Sequence, residues 1–495
     1  MKSNQVFKAE KFRIYSKFKH SSWRWEEDNT ITICRLSNNF NSEIFKLNQP
    51  AAILYYYCNG KHTLDELIKK LEKVMVKFNF KLFNHFIKIL IKKKLIILGK
   101  SKFDINPVGG NIKINKINKQ NFKIIDFFKE FNKHKGKGKL LRFKKPVRAL
   151  FTLNFSCNLK CRGCVQNSFD SNQDFRKISI SKKKAIKIID KLINEKFLFI
   201  SFMGGEIFVR NDIFDIIKYC KEHGMLVMAI TNATLLNKKN ISQLAKIGLD
   251  GFNIGFDSMK SDINNYSKDS TLFQKMLNNI LIINQRKENF VLHLVCTINN
   301  KNCFDIIRLY FFCLQNKVRN LGFFFHIPSD KINKKIDINE FSKVKSHFYF
   351  FIIKILNKYL FSKKIMITHS PLGWCHYKSS MMAINPEGKL DFCGMFNCTF
   401  GSIEKNSIKE IWNSKKMLEI INYENYAFPC SNCYNLKKCA GSCRALVYNV
   451  TNNPLSSVGK YCLSGRLLVL LKKLSLIKPR KVKISTNTDN IIWFE

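Results

Sequence analysis

Cys157, Cys161 and Cys164 stand at the spacing C-x3-C-x2-C in the stretch Phe151-Thr-Leu-Asn-Phe-Ser-Cys-Asn-Leu-Lys-Cys-Arg-Gly-Cys164. An apolar run leads into them, which places all three on one short loop after a strand. Three thiolates from such a loop can hold three irons of a four-iron cluster and leave the fourth open to a small molecule. Structural zinc asks for a closed set of four ligands, usually in paired C-x2-C knuckles. The spacing therefore favours an iron–sulfur cluster with one reactive corner.

The 495 residues leave room for about two to four domains. The first residues, Met1-Lys-Ser-Asn-Gln-Val-Phe-Lys8, contain no apolar signal core. The nearest approach to a membrane span, residues 348–361, is broken by lysines and an asparagine. A cytoplasmic protein without a membrane partner is expected. Its 17 cysteines then speak for metal or redox use rather than for a disulfide scaffold. Ten fall into ligand spacings. The other seven (Cys34, Cys58, Cys220, Cys296, Cys303, Cys313 and Cys398) lie mostly in apolar runs and read as small buried hydrophobes. The net charge of +49 is spread over the whole chain. Lysine far outnumbers arginine, and Asn, Ile and Phe are abundant too, which is the mark of A/T-rich codons. Nucleic-acid binding is not the reading; a basic surface suits an acidic peptide.

Five segments follow from pattern and composition. Residues 1–100 show short strands at 23–25, 30–35 and 43–47, a helix from Pro50 to Tyr57 that Asn59-Gly60 should end, and a capping box Thr63-Leu-Asp-Glu66 before a second helix. A third helix at 83–93 and a closing strand at 95–98 complete a winged-helix pattern. Residues 101–146 read as a basic linker, with Gly109-Gly110, Lys135-Gly-Lys-Gly-Lys and a short amphipathic helix at 122–131. Residues 147–365 alternate strand and helix, with apolar strands at 149–155, 198–203, 226–231, 251–256, 290–298 and 322–327. Residues 366–466 hold the remaining patterned cysteines, and 467–495 form a basic helix and tail. The fold class is α/β: a partial (β/α)6 barrel between an N-terminal winged-helix domain and a C-terminal cysteine-rich domain.

The C-x3-C-x2-C loop after the first barrel strand resembles the cluster motif of radical S-adenosylmethionine (SAM) enzymes, whose chemistry sits at the C-terminal ends of the strands. Gly204, Gly205 and Glu206 end the second strand and resemble the family's GGE motif; the resemblance gives Glu206 to the SAM amino group. Thr231 and Asn232 end the third strand and Asp257-Ser258 the fourth, where relatives place SAM contacts. Several positions depart from the usual pattern: Gly163 where an aromatic is common, Ile207 for Pro, Ala233 for Gly, Gly255 for Ser and Ser267 for Arg. The resemblance implies a four-iron, four-sulfur cluster that chelates SAM, receives one electron and yields a 5′-deoxyadenosyl radical. It assigns no acid–base residue, and the catalytic residues beyond the cofactor contacts are unknown.

A second cysteine field runs Cys375-x12-Gly388-x4-Cys393, then Cys430-x2-Cys433-x5-Cys439-x3-Cys443 and Cys462. This resembles the seven-cysteine SPASM domain of radical SAM maturases. The resemblance implies two auxiliary clusters: Cys375, Cys393 and Cys443 on the first, and Cys430, Cys433, Cys439 and Cys462 on the second. His369 stands six residues before Cys375, where some relatives have a further cysteine. The stretch Ala383-Ile-Asn-Pro-Glu-Gly-Lys-Leu-Asp-Phe-Cys393 reads as a hairpin carrying a ligand.

Residues 46–67, from Lys46-Leu-Asn-Gln-Pro to Thr63-Leu-Asp-Glu-Leu, resemble the PqqD-like recognition elements of enzymes that modify ribosomally made peptides. In that family the leader of a precursor peptide adds as a strand to a sheet edge. Carried over, the edge is 43–47 and the flanking helix 83–93. The three resemblances together imply a maturase that crosslinks a precursor peptide through thioether or carbon bonds. It would draw electrons from a low-potential donor such as flavodoxin or ferredoxin. Other readings are a crosslinking enzyme of the pyrroloquinoline-quinone type, a sulfatase-type maturase, and a non-catalytic iron–sulfur peptide-binding protein. The sulfatase-type relatives carry a catalytic Asp directly after the second SPASM cysteine, where this chain has Gly394.

Overall fold

The computed structural model describes residues 13–15, 21–26, 31–36, 42–75, 79–93, 95–99, 123–126, 130, 133, 140–161, 164, 177–264, 270–286, 289–326, 340–361, 365–370, 379–439, 441, 443–457, 463–480, 482, 484, 486 and 491–494. The Gly109-Gly110 and Lys135–Lys139 stretches, Gly163, Ser267, Cys375 and Cys462 lie outside them.

Seven parallel strands form the barrel: β1 (Arg148–Thr152), β2 (Phe199–Met203), β3 (Leu226–Thr231), β4 (Gly251–Gly255), β5 (Val291–Ile298), β6 (Asn320–Phe325) and β7 (Met366–Ser370). The six expected apolar runs account for β1 to β6. Their apolar character on both faces fits a parallel sheet covered by helices. On β1, Ala149 and Phe151 point outward to Ile188, Ile189 and Leu192 of the helix Lys182–Asn194. Leu150 points inward and meets Met203 and Ala383. Strand β7 begins just past the expected boundary at 365 and pairs in parallel with β6 from Asn320↔Met366 to Phe324↔Ser370.

The sheet continues on the other side of β1. Strand β8 (Met381–Ile384) pairs in parallel with β1, β9 (Lys389–Cys393) antiparallel with β8, and β10 (Phe396–Ser402) antiparallel with β9. The expected hairpin is therefore present and shares the barrel's ten-stranded sheet. Its turn needs Gly388, whose φ of +82° lies in the left-handed region.

A seam joins the C-terminal domain to the strand Leu140–Phe143. The buried guanidinium of Arg142 lies 3.5 Å from the ring centre of Trp412 and donates to its carbonyl at 2.6 Å. The Trp412 indole N–H donates to the Phe143 carbonyl at 2.8 Å. The chain's last strand, Ile491–Phe494, pairs in parallel with Leu140–Phe143. The tail thus closes on this seam through its final strand, while Leu467 and Leu470 of the helix Leu463–Lys473 stay exposed.

The N-terminal domain contains a four-stranded antiparallel sheet in the order 21–25, 31–36, 42–47, 124–126. Strand 31–36 of this sheet is buried on both faces. Ile31, Ile33, Phe45 and Leu47 pack with the helices Gln49–Tyr57, Leu64–Val74 and Phe80–Lys92, whereas Cys34, Leu36 and Ile44 join the barrel's core. Arg24 crosses to the barrel and donates to the Lys196 carbonyl at 2.8 Å. The capping box is formed: the Glu66 carboxylate accepts from Thr63 N at 2.8 Å, and Thr63 Oγ1 accepts from Glu66 N at 3.3 Å. Two local expectations change. Asn59-Gly60 opens the strand Asn59–Thr63 instead of capping a helix. Within the patch at 122–131, Ile124–Asp126 is a strand and not part of a helix. Two adjacent β-branched residues beside an open sheet edge favour strand pairing over an isolated helical turn.

Trp412→Phe should keep the ring packing but remove the indole donor to the Phe143 carbonyl, at a cost of about 1 kcal/mol. Thermal melting of the variant tests this; an unchanged melting temperature would contradict the role given to the seam.

Candidate active site

The cysteine loop leaves β1 through Asn154, Phe155 and Ser156, and its root is held by backbone contacts. Gly205 N donates to Asn154 O at 2.8 Å, and Glu206 N donates to Ser156 O at 2.8 Å. This approach explains the two glycines. A Cβ on Gly204 would stand 2.5 Å from Asn154 O, and one on Gly205 would stand 2.2 Å from Ser156 O. The returning chain is pinned as well: Phe155 N donates to Ile178 O and Ile180 N to Leu153 O, both at 3.0 Å. Arg210 then ties Ser179 and Ile180 to Asp212.

Glu206 is fully buried and spans the ends of β2 and β3. Its carboxylate accepts from Thr231 Oγ1 at 2.8 Å, Asn232 N at 2.7 Å and Phe208 N at 3.0 Å. Burial pushes its carboxyl above the usual range, and these donors oppose that rise. The motif glutamate therefore clamps two strand ends together in this chain, and a ligand amine would have to share or replace one of these donors.

Asn232 links β3 to the cysteine loop. Its side-chain N–H donates to Asn158 Oδ1 at 3.0 Å and toward Cys157 Sγ at 3.8 Å, while Oδ1 accepts from Thr234 N and Oγ1. Leu159 N also donates to Cys157 Sγ, at 3.3 Å. Such donors to a ligating sulfur stabilise the thiolate and tune its metal. The Cys161 thiol is pushed up by burial, then by Cys164 and Cys157, then by Asp257. Cys157, Cys164 and Asp257 are thus near enough to Cys161 to act on its charge, and thiolates are the ligands that a cationic iron core takes.

Asp257 is held at the end of β4. Its carboxylate accepts from Thr297 N at 2.7 Å and its carbonyl from Asn302 Nδ2 at 3.0 Å. Asn264 Oδ1 accepts from Asp257 N, and Ser258 Oγ donates to Asp305. The structure therefore brings Cys157, Cys161, Cys164, Gly204, Gly205, Glu206, Thr231, Asn232 and Asp257 to one end of one sheet. Sequence reasoning missed Asn154, Asn158, Thr234 and Asn302, which position these residues. Their only signal was proximity to strand ends, because an asparagine in a loop has no distinctive spacing.

The departure at Ala233 has a visible consequence. Ala233 is buried with a φ of +60°, where an L side chain is strained by about 1–2 kcal/mol.

In the C-terminal domain, Cys393 ends β9, and Gly394 turns the chain over Leu150 and Met203 of the barrel. Cys430 opens a 3-10 turn, Cys433 follows with its N–H on the Cys430 carbonyl at 3.0 Å, and Cys439 ends the helix Leu436–Cys439. Cys443 precedes the helix Arg444–Thr451, whose buried Arg444 donates to the carbonyls of Gly441, Pro454 and Ser456. Cys393, Cys430 and Cys443 pack on one small core with Tyr426. Soft thiolates on short turns fit iron–sulfur ligation, the donor set expected of them. Of His369, the structure shows only the backbone position in β7.

Residues 153–313 match the radical SAM superfamily, and residues 375–434 match SPASM, an iron–sulfur cluster-binding domain. Among curated proteins, the chain is similar to an AdoMet-dependent heme synthase of Methanosarcina barkeri, with 23% identity over 64% of this chain and 96% of the relative. It is also similar to the antilisterial bacteriocin subtilosin biosynthesis protein AlbA of Bacillus subtilis, with 34% identity over 21% of this chain and 22% of that one. Among solved structures, Streptococcus suis SuiB bound to its precursor peptide SuiA superposes with a TM-score of 0.56 at 16% identity, covering 91% of this chain and 100% of SuiB. The protein is thus a radical SAM enzyme with a SPASM domain, and four-iron clusters and SAM are its cofactors.

Ala233→Gly should raise stability by about 1 kcal/mol by relieving the positive φ, and chemical denaturation measures it. Gly205→Ala should displace the loop root and lower the iron bound at the Cys157–Cys164 site while the SPASM cysteines stay loaded. Iron analysis against a Cys157→Ala reference checks this, and native iron content in Gly205→Ala would refute the packing argument.

Proposed function

We propose that this protein is a peptide maturase: it crosslinks a ribosomally made precursor by radical chemistry and grips the precursor's leader through its N-terminal domain. The observation that carries this reading is the single sheet. It presents the cysteine loop at one end and the Cys393 hairpin beyond β1, with the N-terminal domain packed into the same core. Under this reading Cys157, Cys161 and Cys164 hold the SAM cluster; Gly204, Gly205, Glu206, Thr231, Asn232 and Asp257 shape the SAM site. Cys375, Cys393 and Cys443 serve the first auxiliary cluster, and Cys430, Cys433, Cys439 and Cys462 the second. When bound, the cluster and SAM supply a 5′-deoxyadenosyl radical, which removes a hydrogen atom from an unactivated C–H bond.

The chain's own residues prepare the space for that step. The faces of β3 to β6 that carry Ile230, Asn253, Gly255, Val295, Thr297 and Phe324 also carry the buried His293, with no carboxylate, lysine or thiol among these positions. Such a lining tolerates a radical and offers it few reactive side chains. Forming a crosslink also removes a second electron and a proton. The Cys393 hairpin belongs to the same sheet, so an auxiliary cluster held there would be an electron acceptor within the same structural unit. The positive net charge suits an acidic leader and an acidic low-potential electron donor such as flavodoxin or ferredoxin. The fold shared with SuiB, whose structure holds a precursor peptide, supports the reading, as does the stretch similar to AlbA. Among the described residues no helix is long and apolar enough to cross a membrane, and a cytoplasmic setting accords with the labile clusters.

A second reading comes from the heme synthase, which matches over almost its whole length: radical modification of a heme precursor. One anaerobic experiment separates the two. The native chain with SAM, a reductant and a cognate precursor peptide should form 5′-deoxyadenosine and a peptide lighter by two hydrogens per crosslink. Cys161→Ala should form neither. A native chain that leaves the peptide unchanged but converts a heme precursor would decide for the second reading.

A further inference from the structure

The sheet edge at residues 45–48 is already taken by the chain itself. Phe45, Lys46 and Leu47 pair antiparallel with Asp126, Ile125 and Ile124. Asn48 extends the pairing by one residue in both directions: its N–H donates to the Lys123 carbonyl at 3.2 Å, and its side-chain Oδ1 accepts from Lys123 N at 2.8 Å. Ile124 is half-buried and packs on the core that holds Trp23, Ile31, Ile33, Phe45 and Leu47. Ile125, on the opposite face, remains 40% exposed. The segment makes the contacts of an added strand: backbone bonds along the edge and an aliphatic side chain set on the domain's core. This is also the edge, 43–47, that the family resemblance gives to the leader.

We propose that residues 45–48 form a strand-exchange site, held by the chain's own residues 123–126 until an extended segment of the precursor's leader displaces them. The inference rests on the peptide-maturase reading. It defines the incoming segment as an extended stretch with an aliphatic side chain opposite Leu47 and a solvent-facing neighbour. Among the described residues three rungs and the Asn48 clamp hold the resident strand, and a partner strand with more rungs can outcompete it. Because the resident strand is tethered, it acts at high effective concentration and lowers the apparent affinity of any competitor.

The test uses the full chain and a fluorescent peptide copied from residues 121–128. Ile124→Asp with Ile125→Pro removes the apolar contact and a backbone donor from the resident strand. The double variant should bind the peptide about tenfold or more tighter than the native chain. Asn48→Ala deletes an acceptor of the edge itself, which the resident strand and the peptide use alike, and should leave the affinity near that of the native chain. Equal affinity for the native chain and the double variant would overturn the proposal. So would absence of binding to a double variant that still forms 5′-deoxyadenosine. Unlabelled leader of the precursor that the crosslinking assay uses should then displace the peptide. If the peptide binds the variant and the leader does not compete, strand exchange survives as a property of the edge, but the leader is not its occupant and the reading of the domain fails.

Discussion

The site depends on a contact between two short pieces of backbone, residues 154–156 and 204–206. Two hydrogen bonds and two missing Cβ atoms let the end of β2 lie directly against the root of the cysteine loop. Everything nearer the reacting atoms is referenced to that seam. Cys157 follows it by one residue, and Glu206 turns inward from it to clamp Thr231 and Asn232. Asn232 in turn reaches back to Asn158 and Cys157. The loop is thus fixed by neighbouring strand ends before any metal is considered. That order suits a cluster whose fourth iron must face a ligand in a defined direction.

The larger architecture follows from continuity of one sheet. A partial barrel leaves an edge at β1, and unpaired edges must be covered or extended. Here the β8–β10 hairpin extends it, so Cys393 of the second cysteine field and the loop of the first are borne by one hydrogen-bonded surface. The N-terminal sheet is used on both faces, which makes it a docked part of the same body. Arg142 under Trp412 closes the third junction, with the guanidinium's burial offset by ring and carbonyl contacts.

Much of this was legible beforehand because it is written in spacing and period. Six apolar runs yield six parallel strands, the Thr63–Glu66 box caps its helix, and Gly388 turns its hairpin. Three further points escaped, each for a physical reason. β7 contains Thr368, His369 and Ser370 and lacks the continuous apolar run of its neighbours. Ile124–Asp126 becomes a strand only because a distant edge accepts it, and a tertiary partner is invisible to a local pattern. Glu206 was read as a ligand contact, while its bonds to Thr231 and Asn232 depend on how two strand ends meet in space. Ala233 shows the reverse case, where a departure from the family's glycine leads directly to a residue at φ +60°.

The most direct test of the account follows the abstracted hydrogen atom. Precursor peptide carrying deuterium on its carbon-bound positions is incubated anaerobically with cluster-loaded enzyme, SAM and reductant, and the 5′-deoxyadenosine is weighed by mass spectrometry. The account predicts deuterium in the 5′-deoxyadenosine, in proportion to crosslinked peptide. Abundant 5′-deoxyadenosine that stays free of deuterium, from a peptide that remains unmodified, would contradict it.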